Sequence, residues 1–382
     1  MTTTASPAPP WSSLAALKRD RLFWVLVLTL AGLTMAQPYK LAGYPGLVDW
    51  PTMAALTGLL ALTQAVECSG ALARLGRWLV AHMPTERVAA FGLVSAAALL
   101  STLLTNDVAL FVVVPLTLGL CRITPLPATK LIVFEALAVN AGSMLTPIGN
   151  PQNLFLWQLS KVSFAEFTLH MVPLVSLLFV LLLLLTAQVF RSTPLDVTDH
   201  GAAPALDRPL LWVALILYGP FLWMTDRGHA AAGCAVVVVV TGLLRPRVLA
   251  RVDWGLLLIF VLMFIDLRLI AALDVVRSVI GGLGLAVPQK LYAAGIAASQ
   301  LVSNVPATIA LAEYSRDWRV LAYAVNVGGF GLAVGSLANL IALRMAPDAR
   351  AWLIFHRYSL PFLMAAAGIG YGLLFAAHLA GP

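Results

Sequence analysis

The run from Leu22 to Tyr39 contains no charged side chain, and neither does the run from Phe167 to Phe190. A helix fills the hydrocarbon layer of a bilayer with about 20 apolar residues. Inside that layer only helices and closed barrels satisfy their own backbone groups. Such segments commit the chain to membrane helices, and composition agrees. Of 382 residues, 60% are hydrophobic and 11% charged, with a mean hydropathy of +0.91; a soluble domain carries about 25% charged residues. A soluble enzyme, a nucleic-acid partner and a secreted disulfide scaffold are all excluded. Cys68, Cys121 and Cys234 lie far apart on apolar stretches, so neither a metal centre nor a disulfide is expected.

Candidate spans fall at 22–38, 50–66, 131–157, 167–190, 209–225, 230–244, 252–271, 320–343 and 352–380. With the amino terminus inside, 16 Lys and Arg residues face the cytoplasm and 8 face outward, the sense of the positive-inside rule. Residues 1–21 then form a cytoplasmic tail of a multi-pass protein in the cytoplasmic membrane. Two regions, 88–121 and 287–312, fit this pattern badly. The first has a polar tip at Thr105-Asn106-Asp107, the second at Ser303-Asn304, and the apolar arms flanking the second are too short to cross. Both read as re-entrant hairpins; for the first, two complete spans are the alternative. The stretches 71–80 and 270–279 read as amphipathic connecting helices, with Glu67 and Asp266 capping them or pairing with arginines such as Arg268.

An internal repeat organises the rest. Asn140, Gly142, Gly149, Asn153 and Leu154 recur as Asn326, Gly328, Gly335, Asn339 and Leu340, all offset by 186 residues. Each stretch follows a hairpin tip, and the assigned topology places the two tips on opposite sides. The expected fold is therefore an all-α polytopic membrane protein of two inverted repeats, each with a re-entrant hairpin and a broken transmembrane helix. Residues 22–190 form the first repeat and 230–382 the second, joined by 191–229 as linker and connecting helix. Transporters are commonly built this way. Thr146-Pro147-Ile148-Gly149-Asn150-Pro151 should break its helix sharply, because two prolines remove donors and clash with preceding carbonyls. Gly335-Ser336 should break the second helix less sharply. Hairpin tips and broken helices free backbone groups that can hold ions or polar solutes. The candidate binding residues are Thr105, Asn106, Asp107, Thr146, Gly149, Asn150, Asn153, Ser303, Asn304, Thr308, Gly335, Ser336 and Asn339.

These motifs, Leu104-Thr-Asn-Asp-Val-Ala-Leu110, Thr146–Leu154 and Ser303-Asn-Val-Pro-Ala307, resemble the ion transporter superfamily of divalent-anion/sodium symporters, citrate transporters, arsenite permeases and some sodium/proton antiporters. The resemblance covers roughly Leu22 to Leu379. It implies a scaffold and a transport domain, homodimers, elevator-type movement, and binding of coupling cation and substrate at the tips. Thr105-Asn106 and Ser303-Asn304 match the Ser-Asn-Thr tips of the dicarboxylate branch. Asp107 and Val305 depart from it, standing where that branch has Thr, so the pattern sits nearer the arsenite-permease and anion-permease side.

Intramembrane acids are costly and mark ion pathways. Asp107 beside its tip is the first candidate for coupling and Glu135 the second. The expected function is secondary transport of a small anion or weak-acid metalloid, coupled to a proton or sodium. A sodium/proton antiporter of the same superfamily is the alternative. The expected partners are the small-molecule substrate, the coupling cation or proton, the lipid bilayer and a second copy of the chain; no nucleic acid is involved. No cofactor is expected beyond a bound sodium ion. No Walker motif, nucleophile elbow or zinc motif occurs, so an enzyme is not expected.

Overall fold

The computed structural model describes residues 21–80, 83–195 and 205–379. The expected cytoplasmic tail, apart from Arg21, and residues 196–204 of the expected linker lie outside these residues. Among the described residues the chain is helical throughout, without a sheet. In chain order the helices of nine residues or more are α1 (Arg21–Ala36), α2 (Trp50–Cys68), α3 (Ala71–Val80), α4 (Glu86–Leu103), α5 (Asn106–Ile123), α6 (Ala128–Ser143), α7 (Pro151–Ser160), α8 (Phe164–Val189), α9 (Arg208–Asp226), α10 (Ala230–Leu244), α11 (Trp254–Ala271), α12 (Asp274–Gly282), α13 (Pro288–Val302), α14 (Asn304–Ala312), α15 (Trp318–Val327), α16 (Leu337–Met345) and α17 (Ala351–Leu379). Five of these are long and apolar enough to cross a membrane: α4, α8, α9, α11 and α17. A sixth is reached if Leu22–Ala36 and Pro38–Leu47, bent by 118°, count as one span. The remaining expected spans are present as the shorter α10, the more polar α2 and the two broken pairs α6–α7 and α15–α16.

Helix starts follow their capping residues. The side chains of Asp49, Thr85, Asn150, Ser163, Asp207, Asp253 and Asp317 each accept a hydrogen bond from a backbone N–H in the first turn, which satisfies one of the donors a helix leaves open. The hairpin arms differ in reach. Helices α13 and α14 have 15 and 9 residues, or about 22 and 14 Å at 1.5 Å per residue, well short of the roughly 30 Å hydrocarbon core. Helices α4 and α5 each have 18 residues, close to the crossing length.

The described residues group into two compact units, one of residues up to Ser69 with Asp207–Val279, the other of Gly70–Leu206 with Ile280 onward. Each unit draws on both halves of the sequence. In the first unit, α2 contacts α9 and α10, and α11 contacts α1. Gly58 makes room for the Phe221 ring, whose Cε2 lies 2.3 Å from where a Cβ would stand. Arg268 donates to the Leu47 carbonyl at 2.7 Å. Asp266 is 1% exposed, and neither carboxylate oxygen has a hydrogen-bond partner. It caps no helix and makes no bond to Arg268, contrary to the sequence expectation: it sits inside α11, three turns past that helix's own cap.

The second unit is built on two close helix crossings. A Cβ on Gly142 would lie 2.0 Å from the Ala98 carbonyl oxygen, and one on Gly328 would lie 2.5 Å from Ser299 Cβ. Only glycine lets α6 reach α4, and the end of α15 reach α13, this closely. Helix α16 then contacts α5 and α6, while α14 and α15 contact α7. The second break is not the milder one. The first helix stops between Ser143 and Pro151, whereas the second is interrupted from Val327 to Leu337 with one 3-10 turn at Ala333–Gly335. The closely spaced Gly328, Gly329 and Gly331, the last at φ 94°, end α15 earlier than Gly335 alone would.

Gly142→Ala should lower the melting temperature of the detergent-purified protein, corresponding to about 1–3 kcal/mol of overpacking. Gly119→Ala, which meets nothing within 4 Å, should leave it unchanged. Equal melting temperatures would remove the close α4–α6 crossing.

Candidate functional site

Each hairpin tip is fastened to a break. Asn106 opens α5, and its backbone N–H donates to the Gly149 carbonyl at 3.0 Å. Its Oδ1 accepts from the Asp107 N–H at 3.0 Å. Thr102 Oγ1 is shared between the Ala98 and Gly142 carbonyls, both at 3.0 Å. Thr146 Oγ1 donates back to the Thr102 carbonyl at 2.6 Å. On the second hairpin Gln300 carries the corresponding bonds. Its Nε2 donates to the carbonyls of Gly328 at 2.6 Å and Phe330 at 3.0 Å, and its Oε1 accepts from Leu332 N–H at 2.7 Å. Thr102 and Gln300 differ by 198 residues, the spacing that separates Asn106 from Asn304.

Between the breaks four asparagines exchange bonds. Asn140 Nδ2 donates to Asn339 Oδ1 at 2.7 Å, and Asn326 Nδ2 donates to Asn153 Oδ1 at 2.6 Å. An offset of 186 turns the first pair into the second. The supporting bonds obey it too. Asn140 and Asn326 donate to the carbonyls of Ala136 and Ala322, at 3.0 and 2.7 Å. Asn153 and Asn339 donate to the carbonyls of Ser143 and Gly329, at 3.4 and 2.9 Å. Asn153 also reaches the Met144 and Thr146 carbonyls, both at 3.1 Å. Carbonyls set free by the broken helices are thus taken up by amide side chains that are almost fully buried.

The exchange is symmetric, but its flanks are not. In the first half Asn150 caps α7 through Oδ1, and its Nδ2 donates to Asn326 Oδ1 at 3.0 Å and to Ser143 Oγ at 3.2 Å. At the corresponding positions the second half has Ser336 and Gly329. Ser336 Oγ is buried without a hydrogen-bond partner. A Cβ on Gly329 would lie 3.1 Å from the Asn326 carbonyl oxygen, 3.2 Å from Asn304 Nδ2 and 3.4 Å from Asn140 Oδ1. Polar atoms therefore surround a position where the second half has shorter side chains than the first. Acceptors dominate there, Asn304 supplies a donor, and no Lys or Arg belongs to the group. Helices α5, α7, α14 and α16 all begin at residues of this network, and helix starts favour negative charge and oxygen-rich solutes.

The sequence-selected residues divide as follows. Asn106, Gly149, Asn150, Asn153 and Asn339 belong to one connected set, since Asn106 touches Gly149, Asn150 touches Asn326, Asn326 touches Asn153 and Asn140 touches Asn339; Asn304 Nδ2 lies beside Gly329 at its edge. A Cβ on Gly335 would stand 2.7 Å from the Gly328 carbonyl. Thr105 Oγ1 is buried without a partner beside the tip. Ser303 holds φ 74°, ψ 155°, a conformation costly for a residue with a side chain. Thr308 bonds back to the Asn304 carbonyl within its own helix. Asp107 is half-buried in the first turn of α5. Glu135 stands apart on α6, fully buried and accepting from Thr117 Oγ1 on α5. The sequence reading did not select Asn140, Asn326, Gln300, Ser143 or Thr117, although the offset of 186 had already aligned Asn140 with Asn326. A surface cavity of about 840 Å³ lined by Glu166, His170, Asp317 and Arg319 shares no residue with the network.

The profile of the citrate transporter family matches residues 14–328. Inner membrane protein YbiR of Escherichia coli is 46% identical over 94% of this chain and 97% of its own. Uncharacterized transporter MJ0456 of Methanocaldococcus jannaschii is 35% identical over 65% of this chain and 68% of its own. Silicon efflux transporter LSI3 of Oryza sativa is 33% identical over 33% of this chain and 26% of its own.

Asn140→Ala and Asn339→Ala should each lower thermal stability. The double variant should cost less than the sum, with a coupling of about 0.5–3 kcal/mol. Additive losses in a melting series would mean that the two amides are not bonded.

Proposed function

Because this chain belongs to the citrate transporter family, we propose that it is a secondary active transporter that carries a small anion, or a weak acid taken up uncharged, at the asparagine network. The family and the named relatives support a membrane transporter over an enzyme. One observation carries the finer reading: the exchange between Asn140–Asn339 and Asn326–Asn153 ties both broken helices into one polar set, with the first tip bonded to it through Gly149 and Asn304 of the second beside it at Gly329. That set holds buried hydroxyls without partners at Thr105 and Ser336.

The lining favours one kind of cargo. It contains amides, carbonyls and hydroxyls with no cationic side chain, a poor counterpart to a trivalent carboxylate. A monoanion, an undissociated oxyacid or an anion accompanied by a cation fits better. The silicon named for LSI3 and the arsenite favoured by the sequence pattern are both of this kind. A bound sodium ion or a proton would supply the missing positive charge, and two copies of the chain would form the working assembly. Alternating access of the elevator type is supported by the Thr102–Gly142 and Gln300–Gly328 bonds. They join hairpins to broken helices within one compact unit, so the set can travel together. Sodium/proton antiport is the second reading, favoured by the buried carboxyl of Glu135.

Proteoliposomes loaded with silicic acid, arsenite or citrate should show flux of at least one of them under an imposed proton or sodium gradient. Asn304→Ala should reduce that flux by about tenfold or more, the cost of a lost buried polar contact. In a cysteine-free background, Ser336→Cys should react with aqueous thiol reagents and be protected by the transported probe. Flux that Asn304→Ala leaves untouched would remove the network as the binding site.

A further inference from the structure

We infer that Glu135 on α6 and Thr117 on α5 form a proton seat, separate from the asparagine network, that loads and empties during transport. The inference rests on the transport reading above. Glu135 is 0% exposed. One carboxyl oxygen accepts from Thr117 Oγ1, and the other has no hydrogen-bond partner. Helix α6 contacts α4, α5, α8, α16 and α17. Helix α6 itself carries Lys130 in its first turn, five positions before Glu135, and the ionisable residues on the neighbouring helices are few. Glu86 and Arg87 stand at the start of α4, and the Arg87 side chain donates to the Phe190 carbonyl at 2.9 Å. Helix α5 has Asp107, Cys121 and Arg122, and α8 has only Glu166 and His170 near its beginning. Helix α16 has Arg344. Helix α17 has His356, Arg357 and Tyr358, with the Tyr358 ring 5.1 Å from that of Phe134, and then Tyr371 and His378. The Cys121 thiol stands one turn beyond Thr117 on the same helix, and no ion pair to Glu135 occurs among the described side chains.

This arrangement decides what the pocket can contain. An enclosed carboxylate with one hydrogen bond and no counter-charge is far costlier than a neutral acid that lacks one bond. Two oxygen ligands, from Glu135 and Thr117, are too few to replace the hydration shell of a metal cation. A proton needs only the free oxygen. Loading therefore joins one proton from water to the unbonded carboxyl oxygen, and unloading returns it to water on the other side, with no other bond changed.

The position suits coupling. The carbonyl of Ala136, next to Glu135, holds the Asn140 amide. Thr117 lies on the helix whose first residue, Asn106, is bonded to the broken segment through Gly149. Opening the seat to water means parting α5 from α6, the two helices that fasten the first tip to the network. The seat is enclosed by other helices, whereas the half-buried Asp107 sits beside the tip itself. The proton and the cargo thus occupy different places on the same two elements.

Infrared spectra of the purified full-length protein at neutral pH test the seat without any substrate. The wild-type chain should show the C=O band of a protonated buried carboxyl that Glu135→Gln lacks and that Thr117→Val shifts. In proteoliposomes carrying an internal pH indicator, the silicic acid or arsenite flux of the wild type should respond to an imposed pH gradient. In Glu135→Gln that response should fall by about tenfold, and Thr117→Val should move its pH midpoint. Identical carboxyl bands in wild type and Glu135→Gln, or an undiminished response to the gradient, would overturn the seat. Absence of wild-type flux for every probe would instead count against the transport reading, and the infrared comparison would still decide whether the proton is there.

Discussion

A helix that breaks inside a packed core leaves carbonyls and N–H groups where no water can reach them, and this protein breaks two helices, α6–α7 and α15–α16, among buried residues. Its second unit depends on how those groups are satisfied. Asn153 takes three carbonyls of the first break, Gln300 takes two of the second, and Asn140 and Asn326 lock the pairs together. A buried polar network of this kind is stable only when nearly complete, because each unpaired member costs more than a paired one contributes. The atoms left unpaired, at Thr105, Ser336 and the Oε1 of Gln152, whose Nε2 donates to Asn326 Oδ1, are therefore the informative ones.

Glycine makes the network possible by removing side chains from its approaches. Gly142 and Gly328 let helices meet at backbone distance, while Gly149 lies under the Ser143 and Ser101 carbonyls. Gly329 has a different role. Its counterpart in the first half, Ser143, has a hydroxyl that fills the equivalent position. Two halves that share a backbone plan are thereby made chemically unequal by a few atoms.

Much of this was legible in the sequence. Apolar run length gave the helices, Pro147 and Pro151 gave the first break, and the offset of 186 gave the asparagines that bond to one another. The parts not legible depend on which face meets which. Gln300 looked like one polar residue in a hairpin arm, and nothing in a linear reading places its amide against Gly328. Thr117 lies in an uncharged run, where a hydroxyl gives no signal until its neighbour proves to be a carboxyl 18 residues later. The grouping of Gly70–Leu206 with Ile280 onward is likewise a property of packing, because apolar helices of similar length look alike in composition. Asp266 was expected to cap or pair and does neither. Capping needs an acid at a helix end, and Asp266 lies inside α11.

The asparagine exchange also constrains the order in which the protein can be made. Asn140 waits for a partner 199 residues further along the chain, and Asn153 for one 173 residues further. When the ribosome has delivered the first broken helix to the membrane, Asn153, Thr102 and the Asn106 N–H already hold its freed carbonyls, but the amides that pair with Asn140 and Asn153 are not yet synthesised. The side-chain ends of those two asparagines therefore lack their final partners until residues 326–339 arrive. Only then does the final polar knot close. The first half is an incomplete object by construction, and its maturation is an event late in translation.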